Sequence, residues 1–326
     1  MRDFSLARAT SRADALSLAQ AEGAAFLAGG TELLNWMRIG IHAPEQVVDL
    51  ARVSGMDGID EIDGGVRIGA LAKLNDVAQH PLVARSYPVL SQAILKAASA
   101  QIRNLATIGG NPVQRVRCPY FRAMDEVAPC NKRVPGSGCA AVEGIHDNHA
   151  IFGWTKECVA VHPADPPVAL AALDAVIVTD HPDGGRRIPV GEFHVLPSQN
   201  SGWHDVLRRG ELIIAIELTA PKPRSAYLKV RERESYEYAL VSAAAALEME
   251  GDVIRSARVA LGSVAMRPWR LSEAEQNLVG LRPDAPEVAV ALDASFVEAR
   301  SLSGSEWKVR LARNAARRVI QLAAEA

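Results

Sequence analysis

All four cysteines of this 326-residue chain lie within residues 118–158. The stretch RVRCPYFRAMDEVAPCNKRVPGSGC, residues 115–139, contains three of them together with several prolines and glycines. Proline and glycine interrupt helices and strands, so this stretch is predicted to be a long irregular loop. Thiols gathered in one such loop indicate a bound group that they hold in common. The residues concerned are Cys118, Cys130, Cys139 and Cys158.

The spacing of the cysteines does not decide what they bind. It contains no C-x-x-C pair of the kind found in most structural zinc sites, and it matches no common ferredoxin run. Four thiolates suit a tetrahedral zinc ion and a cubane [4Fe–4S] cluster equally well, and disulfides or unlinked thiols also remain open. The cations nearby would offset the charge of a four-thiolate site, or they would form an ordinary solvated surface. These cations are Arg115, Arg117, Lys132 and Arg133.

Two pairs of adjacent glycines stand in similar surroundings, in AGGTELL at residues 28–34 and in TIGGN at residues 107–111. Glycine lets the backbone take positive φ and lets a ligand approach the N–H groups closely. The first pair opens a predicted helix, whose free N–H groups attract anions, and Asn111 after the second pair can donate an amide hydrogen bond. The two turns could therefore clamp one pyrophosphate. Neither is a P-loop or a G-x-G-x-x-G fingerprint, and glycine pairs usually mark turns alone.

The hydrophobic pattern predicts helices and strands in mixed order. Helices are predicted at 11–21 with Ser11 as N-cap, at 31–40 with Thr31 as N-cap, and at 88–98, 166–173 and 305–326. Strands are predicted at 24–27, 46–50, 65–71, 175–179, 187–190, 211–218, 226–236 and 257–265. The segment ALVSAAAALEMEGD, 239–252, is ambiguous, because alanine favours a helix while Gly251-Asp252 before another strand suggests a hairpin. TAPKPRS, 219–225, is interpreted as a domain linker.

Charge and hydropathy exclude several classes of protein. Lysine and arginine number 36 against 38 acidic residues, so the net charge of −2 argues against general nucleic-acid binding. No apolar run approaches the roughly 20 residues of a membrane span. The sequence MRDFSLARATSRADALSLAQ has no long apolar region and carries acidic residues, so it is not expected to be a secretory signal. The chain is expected to fold in the cytoplasm, where disulfides are disfavoured.

Four segments together carry a family resemblance: FLAGGTELL, IRNLATIGGNPVQRVRCPYF, PCNKRVPGSGCAA and HPADPPVALAALDA. With them, most of the chain resembles the FAD-binding medium subunit of the molybdenum hydroxylases, the xanthine dehydrogenase and CO dehydrogenase group, and within it the bacterial periplasmic aldehyde oxidoreductase branch. The resemblance implies an α+β fold. Residues 1–221 would form a two-subdomain FAD-binding domain of the vanillyl-alcohol-oxidase type, with the cysteine loop inserted at about 115–160, and residues 222–326 a smaller α+β domain.

The resemblance also implies which residues contact FAD. Both glycine turns would hold its pyrophosphate. Asp165 would bind the adenosine side, and Ile213 and Lys229 would line the flavin. Without the resemblance, Asp165 is an ordinary helix cap and Lys229 a charge on a strand surface. Tyr236 and Tyr238 could stack near the flavin ring or be core aromatics. The residues of the two turns are Leu27, Ala28, Gly29, Gly30, Thr31, Glu32, Leu33 and Leu34, then Thr107, Ile108, Gly109, Gly110 and Asn111.

The sequence departs from the family pattern at two positions. Pro112 stands where the family usually has leucine or isoleucine, which removes one backbone N–H beside the second turn. Glu32 stands where aspartate or asparagine is common. Both changes are expected to alter the affinity for FAD without abolishing its binding.

The cysteine loop resembles the loop that holds a [4Fe–4S] cluster in the aldehyde oxidoreductase branch. By the same resemblance, the chain carries no catalytic residue of its own. It would receive electrons from a small subunit with [2Fe–2S] clusters, beside a large molybdenum-cofactor subunit that oxidises an aldehyde or heterocycle, and would pass them from FAD to an external acceptor. The assembled complex could reach the periplasm with a partner that carries an export signal.

Two other classes of function stay open. A stand-alone FAD oxidase would act directly on a small alcohol or amine and would need a base beside the flavin. A zinc-stabilised nucleotide-binding or scaffold protein would have no redox function. In the first, the glycine turns would still bind a flavin, whereas in the second they would not.

Overall fold

The computed structural model of the chain describes residues 1–124 and 128–326, so a short part of the cysteine loop lies outside it. Within these residues the strands form three sheets. The strands are β1 (Ser5–Arg8), β2 (Ala24–Leu27), β3 (Gln46–Asp49), β4 (Ile59–Ile62), β5 (Gly65–Gly69), β6 (Val176–Asp180), β7 (Arg187–Pro189), β8 (Leu212–Leu218), β9 (Ser225–Val230), β10 (Val241–Glu250), β11 (Val253–Gly262) and β12 (Trp269–Arg270). The helices are α1 (Arg12–Leu18), α2 (Leu33–Arg38), α3 (Leu74–Gln79), α4 (Pro81–Ser86), α5 (Pro88–Lys96), α6 (Ala100–Arg103), α7 (Pro119–Arg122), α8 (Pro166–Ala172), α9 (Val190–Phe193), α10 (Ser272–Asn277), α11 (Glu287–Asp293) and α12 (Glu306–Glu325).

The first sheet is parallel, in the strand order β1–β3–β2. Ser11 caps α1 as predicted, since its Oγ accepts a hydrogen bond from the Asp14 N–H at 3.1 Å. The prediction that Thr31 caps the next helix is wrong, because α2 begins only at Leu33 and its N-cap residue, Glu32, makes no capping bond with its side chain. The first glycine turn therefore follows β2 directly and lies outside any helix.

The second sheet is antiparallel, in the order β4–β5–β8–β6–β7. Ile68, Ile216 and Ile177 stand side by side in register on its three central strands and are fully buried. They share one core with apolar residues of α3, α5 and α8. The second glycine turn is tied to the end of β5, where the Gly109 N–H donates to the Ala70 carbonyl at 2.9 Å.

The third sheet has the order β12–β11–β10–β9 and belongs to the C-terminal part of the chain. The ambiguous segment forms β10, which turns into β11 through Gly251 at φ +58°. Ala244 on β10 belongs to the core of the second sheet, whereas its neighbours Ala243 and Ala245 belong to the core under α12. The strand is thus buried on both faces, and tertiary packing overrides the helix preference of alanine.

The cysteine loop contains little regular structure in its described part. It has α7 and a short 3₁₀ turn at Ala140–Val142. The end of the loop lies against the C-terminal domain, where Lys308 Nζ donates to the carbonyls of Asn148 and His149, each at 2.8 Å. The Arg300 N–H also donates to the Ile151 carbonyl at 2.8 Å. None of the helices in the described residues is long and apolar enough to cross a membrane.

Candidate functional site

A cavity of about 610 Å³ lies where the two glycine turns face each other. Most of the residues predicted to bind FAD line it, although they come from segments far apart in the sequence. They are Ala28, Gly29, Gly30, Thr31, Glu32, Leu33, Thr107, Gly109, Gly110, Asn111, Asp165, Ile213 and Lys229. Ile108 lies in the core instead, and Leu27 and Leu34 pack around Gly30.

The first glycine turn offers free backbone donors to this cavity. Within the described residues, the N–H groups of Gly29, Gly30 and Thr31 have no hydrogen-bond acceptor. A Cβ on Gly29 would lie 2.1 Å from the Leu105 carbonyl oxygen, so only glycine fits this close approach of two backbone segments. Gly30 takes φ +71°, which also favours glycine. The turn thus presents adjacent unpaired N–H groups, a suitable arrangement for an anion.

The second glycine turn uses its backbone donors in hydrogen bonds to other parts of the protein and to its own Thr107. The Gly110 N–H donates to Thr107 Oγ at 3.2 Å, and the Asn111 N–H donates to the Thr107 carbonyl at 3.1 Å. The side chain of Asn111 is buried, and its Oδ1 has no hydrogen-bond partner in the described chain. A buried amide without a protein partner is the condition expected beside a bound polar ligand. This turn therefore offers a side chain to the cavity where the first turn offers its backbone.

Asp165 and Lys229 form a buried ion pair at the cavity wall. Asp165 Oδ2 accepts from Lys229 Nζ at 2.9 Å, and its Oδ1 accepts from the Tyr227 hydroxyl at 2.6 Å. Burial raises the pKa of Asp165, while the Lys229 ammonium and the Tyr227 hydroxyl oppose this shift. The carboxylate caps no helix with its side chain, and Lys229 is not a surface charge. Both carboxylate oxygens of Asp165 already accept hydrogen bonds from the protein. Contact between Asp165 and the ribose of FAD stays a prediction.

Sequence reasoning missed Tyr227, although a signal for it existed. Tyr227 and Lys229 are two residues apart on β9, and residues at that spacing point to the same face of a strand. Burial raises the pKa of the Tyr227 hydroxyl well above its usual range, so it stays protonated and donates to Asp165.

The aromatic residues of the 231–240 segment line the cavity and are not core residues. Tyr236 and Tyr238 are 56% and 46% exposed, and both face the same space as the glycine turns. The Arg117 guanidinium lies 4.7 Å from the centre of the Tyr238 ring. Arg117 and Trp36 also line the cavity and were not predicted to do so.

The four cysteines surround a second, much smaller cavity of about 10 Å³. All four are free thiols, and burial raises the pKa of Cys118 to about 12 and that of Cys158 to about 11. Backbone N–H groups of the loop near the sulfurs of Cys118, Cys130 and Cys158 oppose the effect of burial on the pKa values of these thiols. Across the described residues, no three His, Cys, Asp or Glu side chains converge in a way that would hold a metal ion. The thiols are therefore gathered around a common space without closing on one point.

Asn131 holds the cysteine loop in this shape. Its Nδ2 donates to the Glu157 carbonyl at 2.8 Å, and its Oδ1 accepts from the Gly138 N–H at 3.0 Å. These bonds bring the segments that carry Cys130, Cys139 and Cys158 together. Lys132 lies beside the thiols, and burial lowers its pKa while the thiols oppose that shift. Its ammonium also donates a hydrogen bond to the Trp203 carbonyl.

Comparison with known proteins defines the class of this fold and site. The family model described as FAD binding domain in molybdopterin dehydrogenase matches residues 2–221, and that described as CO dehydrogenase flavoprotein C-terminal domain matches residues 226–323. The aldehyde oxidoreductase FAD-binding subunit PaoB of Escherichia coli (strain K12) is 43% identical over 317 residues, which are 96% of each chain. The carbon monoxide dehydrogenase medium chain of Afipia carboxidovorans is 27% identical, over 98% of this chain and 96% of the relative.

A solved structure of the same size supports this assignment. Quinoline 2-oxidoreductase from Pseudomonas putida 86 matches with a TM-score of 0.77 at 25% identity, over 99% of this chain and 98% of that chain. The chain belongs to the molybdenum hydroxylase family as its FAD-binding medium subunit. It is an oxidoreductase subunit, and the molybdenum site lies on another chain. The predicted α+β class and the family resemblance are both confirmed.

Proposed function

We propose that this chain is the electron-transfer subunit of a molybdenum-dependent complex that oxidises an aldehyde or a heterocycle. The observation that carries the proposal is the 610 Å³ cavity between the two glycine turns, with free N–H groups on one side and the buried amide of Asn111 on the other. Bound FAD would supply the redox chemistry, since flavins can take up electrons from a [2Fe–2S] partner and release them to an external acceptor.

The residues of the cavity fit the parts of FAD in chemical kind. The N–H groups of Gly29, Gly30 and Thr31 suit the pyrophosphate, because unpaired donors pointing into a concave site bind anions. The glycines let the backbone approach the phosphate oxygens. The exposed rings of Tyr236 and Tyr238 offer apolar surface for the flavin. The contribution of this chain is therefore to hold and orient the cofactor.

We propose further that the four cysteines hold a [4Fe–4S] cluster. Their donors are all sulfur, which selects zinc or iron–sulfur centres. The thiols spread around a shared cavity, whereas a single zinc ion needs all four sulfurs about 2.3 Å from one point. The Lys132 ammonium and the backbone N–H groups near the sulfurs would offset the charge of the ligated thiolates. The resemblance of the loop to the aldehyde oxidoreductase branch supports the same choice.

The partners follow from the class of protein. We expect a [2Fe–2S] small subunit and a molybdenum-cofactor large subunit, because the relatives with 43% and 27% identity are named as subunits or chains of aldehyde and carbon monoxide oxidising enzymes. The aldehyde oxidoreductase name of the first relative favours an aldehyde as the substrate of the complex. Export of the assembled complex to the periplasm with a partner stays a prediction.

The first experiment is an absorption spectrum of this chain purified without air and separated from its partner subunits, with iron, zinc and flavin assayed on the same sample. Flavin absorption with about four irons in this chain would support both cofactors. A yellow protein that contains zinc and no iron would support bound FAD and contradict the cluster. A colourless protein that added FAD cannot restore would reject the proposal as a whole.

Turnover separates the electron-transfer subunit from a stand-alone FAD oxidase. The subunit needs its partners, so the purified single chain should not oxidise aldehydes, alcohols or amines, and its flavin should become reduced only when the partners and substrate are added. Oxidation of a small alcohol or amine by the single chain would favour the oxidase. Cys130→Ser tests the path of electrons, because an unchanged rate of flavin reduction after loss of iron would show that the cluster is not an obligatory carrier.

A further inference from the structure

The carboxylate of Glu32 connects the two candidate cofactor sites. One of its oxygens accepts a hydrogen bond from Arg117 and the other accepts one from Arg122, each at 2.7 Å. The side chains are only 15% to 21% exposed, so solvent screens their attraction weakly. Glu32 and Arg117 line the large cavity, whereas Arg122 lies outside its lining.

The two arginines stand on either side of Cys118. Arg117 directly precedes it, and Arg122 ends α7, the helix that starts one residue after it. The Arg122 N–H donates to the Cys118 carbonyl at 3.1 Å, and its Nε donates to the Val116 carbonyl at 3.0 Å. The segment that positions the Cys118 sulfur is therefore attached at both ends to one carboxylate of the first glycine turn.

We propose that Glu32, Arg117 and Arg122 form an ion bridge that couples retention of FAD to occupation of the cysteine site, an inference that rests on the proposed function. A cluster on Cys118 orders residues 116–122, and these hold Glu32 in place. Glu32 in turn fixes the glycine turn whose N–H groups face the pyrophosphate. Coupling between two sites is reciprocal, so bound FAD also strengthens the binding of the cluster by the same factor.

The bridge gives a structural reason for glutamate, and not the shorter aspartate, at position 32. A glutamate side chain is one methylene longer, and its two oxygens reach two guanidinium groups that come from different ends of one segment. Two arginines around one carboxylate also leave a net positive charge beside the cavity. That charge favours a bound pyrophosphate, where an unpaired glutamate would repel it.

The test measures the affinity for FAD with and without the cluster, in the full complex prepared without air. FAD is removed with a chaotropic salt, and its dissociation constant is measured by flavin fluorescence before and after an iron chelator has removed the cluster. In the wild-type protein, iron removal should raise the dissociation constant at least about fivefold, in the range typical of coupled sites. In Glu32→Gln, the same treatment should leave the weaker affinity for FAD unchanged.

Three further variants separate the bridge from a simple loss of charge. Glu32→Asp keeps the charge but shortens the reach, so it should behave like Glu32→Gln. Arg122→Gln should weaken FAD binding although it does not line the cavity. Glu237→Gln removes a carboxylate that lines the same cavity and that, among the described residues, accepts bonds from the backbone N–H groups of Glu232 and Arg233, so it should keep the full coupling.

Equal coupling in the wild-type protein and in Glu32→Gln, or wild-type behaviour of both Glu32→Asp and Arg122→Gln, would overturn the bridge. Loss of coupling in Glu32→Gln, Glu32→Asp and Arg122→Gln, with retention in Glu237→Gln, would support it. A wild-type protein in which this chain holds no FAD or no iron fails at the earlier cofactor assay, and that result counts against the proposed function.

Discussion

The two candidate cofactor sites differ in what shapes them. The large cavity is bounded by ends of strands, by closely packed glycine backbone and by a buried ion pair, and it stands open at about 610 Å³. The cysteine site lies in a loop with little regular structure, held by bonds from side chains to backbone, and its cavity measures only about 10 Å³. A site built on sheets exists before its ligand binds, while a site built on a loop takes its final shape from the group it holds.

The strongest test of this comparison is Gly29→Ala, which disrupts the close packing of backbone at the wall of the large cavity. The added Cβ would lie 2.1 Å from the Leu105 carbonyl oxygen, and backbone must move to relieve the contact. We expect a loss of about 5 kcal/mol or more in the free energy of unfolding, together with loss of FAD binding. Chemical denaturation and flavin content would measure both.

Gly191→Ala is the matched control for that variant. A Cβ at Gly191 meets no atom within 4 Å, so alanine there should change stability by less than about 1 kcal/mol. A Gly29→Ala protein as stable as this control would mean that the close approach of the two loops does not define the cavity.

Lys229→Met is expected to have the next largest effect. It leaves the Asp165 carboxylate buried without its cation, which typically costs about 3–5 kcal/mol in the free energy of unfolding. Thermal unfolding and FAD titration would show the loss. Arg282→Ala removes an exposed ion pair with Asp252 and should cost less than about 1 kcal/mol, so equal effects in the two variants would contradict the structural role given to the buried pair.

Asn131→Ala tests the loop side of the comparison. It removes the bonds to the Glu157 carbonyl and the Gly138 N–H and leaves buried groups unpaired, at a cost of about 2–3 kcal/mol. Because these bonds hold the cysteine segments together, iron content should fall more than FAD content. Asn200→Ala, which loses one exposed bond to the Gly202 N–H, should leave both contents unchanged.

The smallest expected effect is the pH dependence that Lys308 gives to the free energy of unfolding. Burial lowers the pKa of Lys308 to about 7, whereas an unfolded lysine titrates near about 10.4. Between these values the unfolded chain holds more protons, so stability rises with pH, by about 1 kcal/mol from pH 7 to pH 8. Lys308→Met should lack this part of the slope. Unfolding curves with the same pH dependence in both proteins would contradict the lowered pKa.

Local features of the fold could be predicted from the sequence. The Ser11 cap and the strand from Ala24 depend on a few neighbouring residues, and both are confirmed. The Thr31 cap was wrong because Gly30 takes φ +71° and the helix begins one residue later than predicted, with Glu32 at the N-cap position. The alanine-rich β10 could not be assigned, because its conformation depends on two cores that lie on its opposite faces.

The residues of the cavity were predictable where a motif carried them, as in the two glycine turns and Asp165. The contacts between distant residues were not. Nothing in the local sequence indicates that Glu32 bonds to Arg117 and Arg122, 85 and 90 residues away, or that Tyr227 occupies one oxygen of Asp165. Such pairs depend on how the sheets bring separate segments together.

The attachment of the cysteine loop to the C-terminal domain has a consequence for the order of events during synthesis. The loop ends against Arg300 and Lys308, which leave the ribosome long after its last cysteine. Since domains emerge and fold from the N-terminus onward, the loop must wait for the final helix before it is fully anchored. If the thiols hold the proposed cluster, delivery of iron and sulfide is therefore expected to be a late, post-translational step.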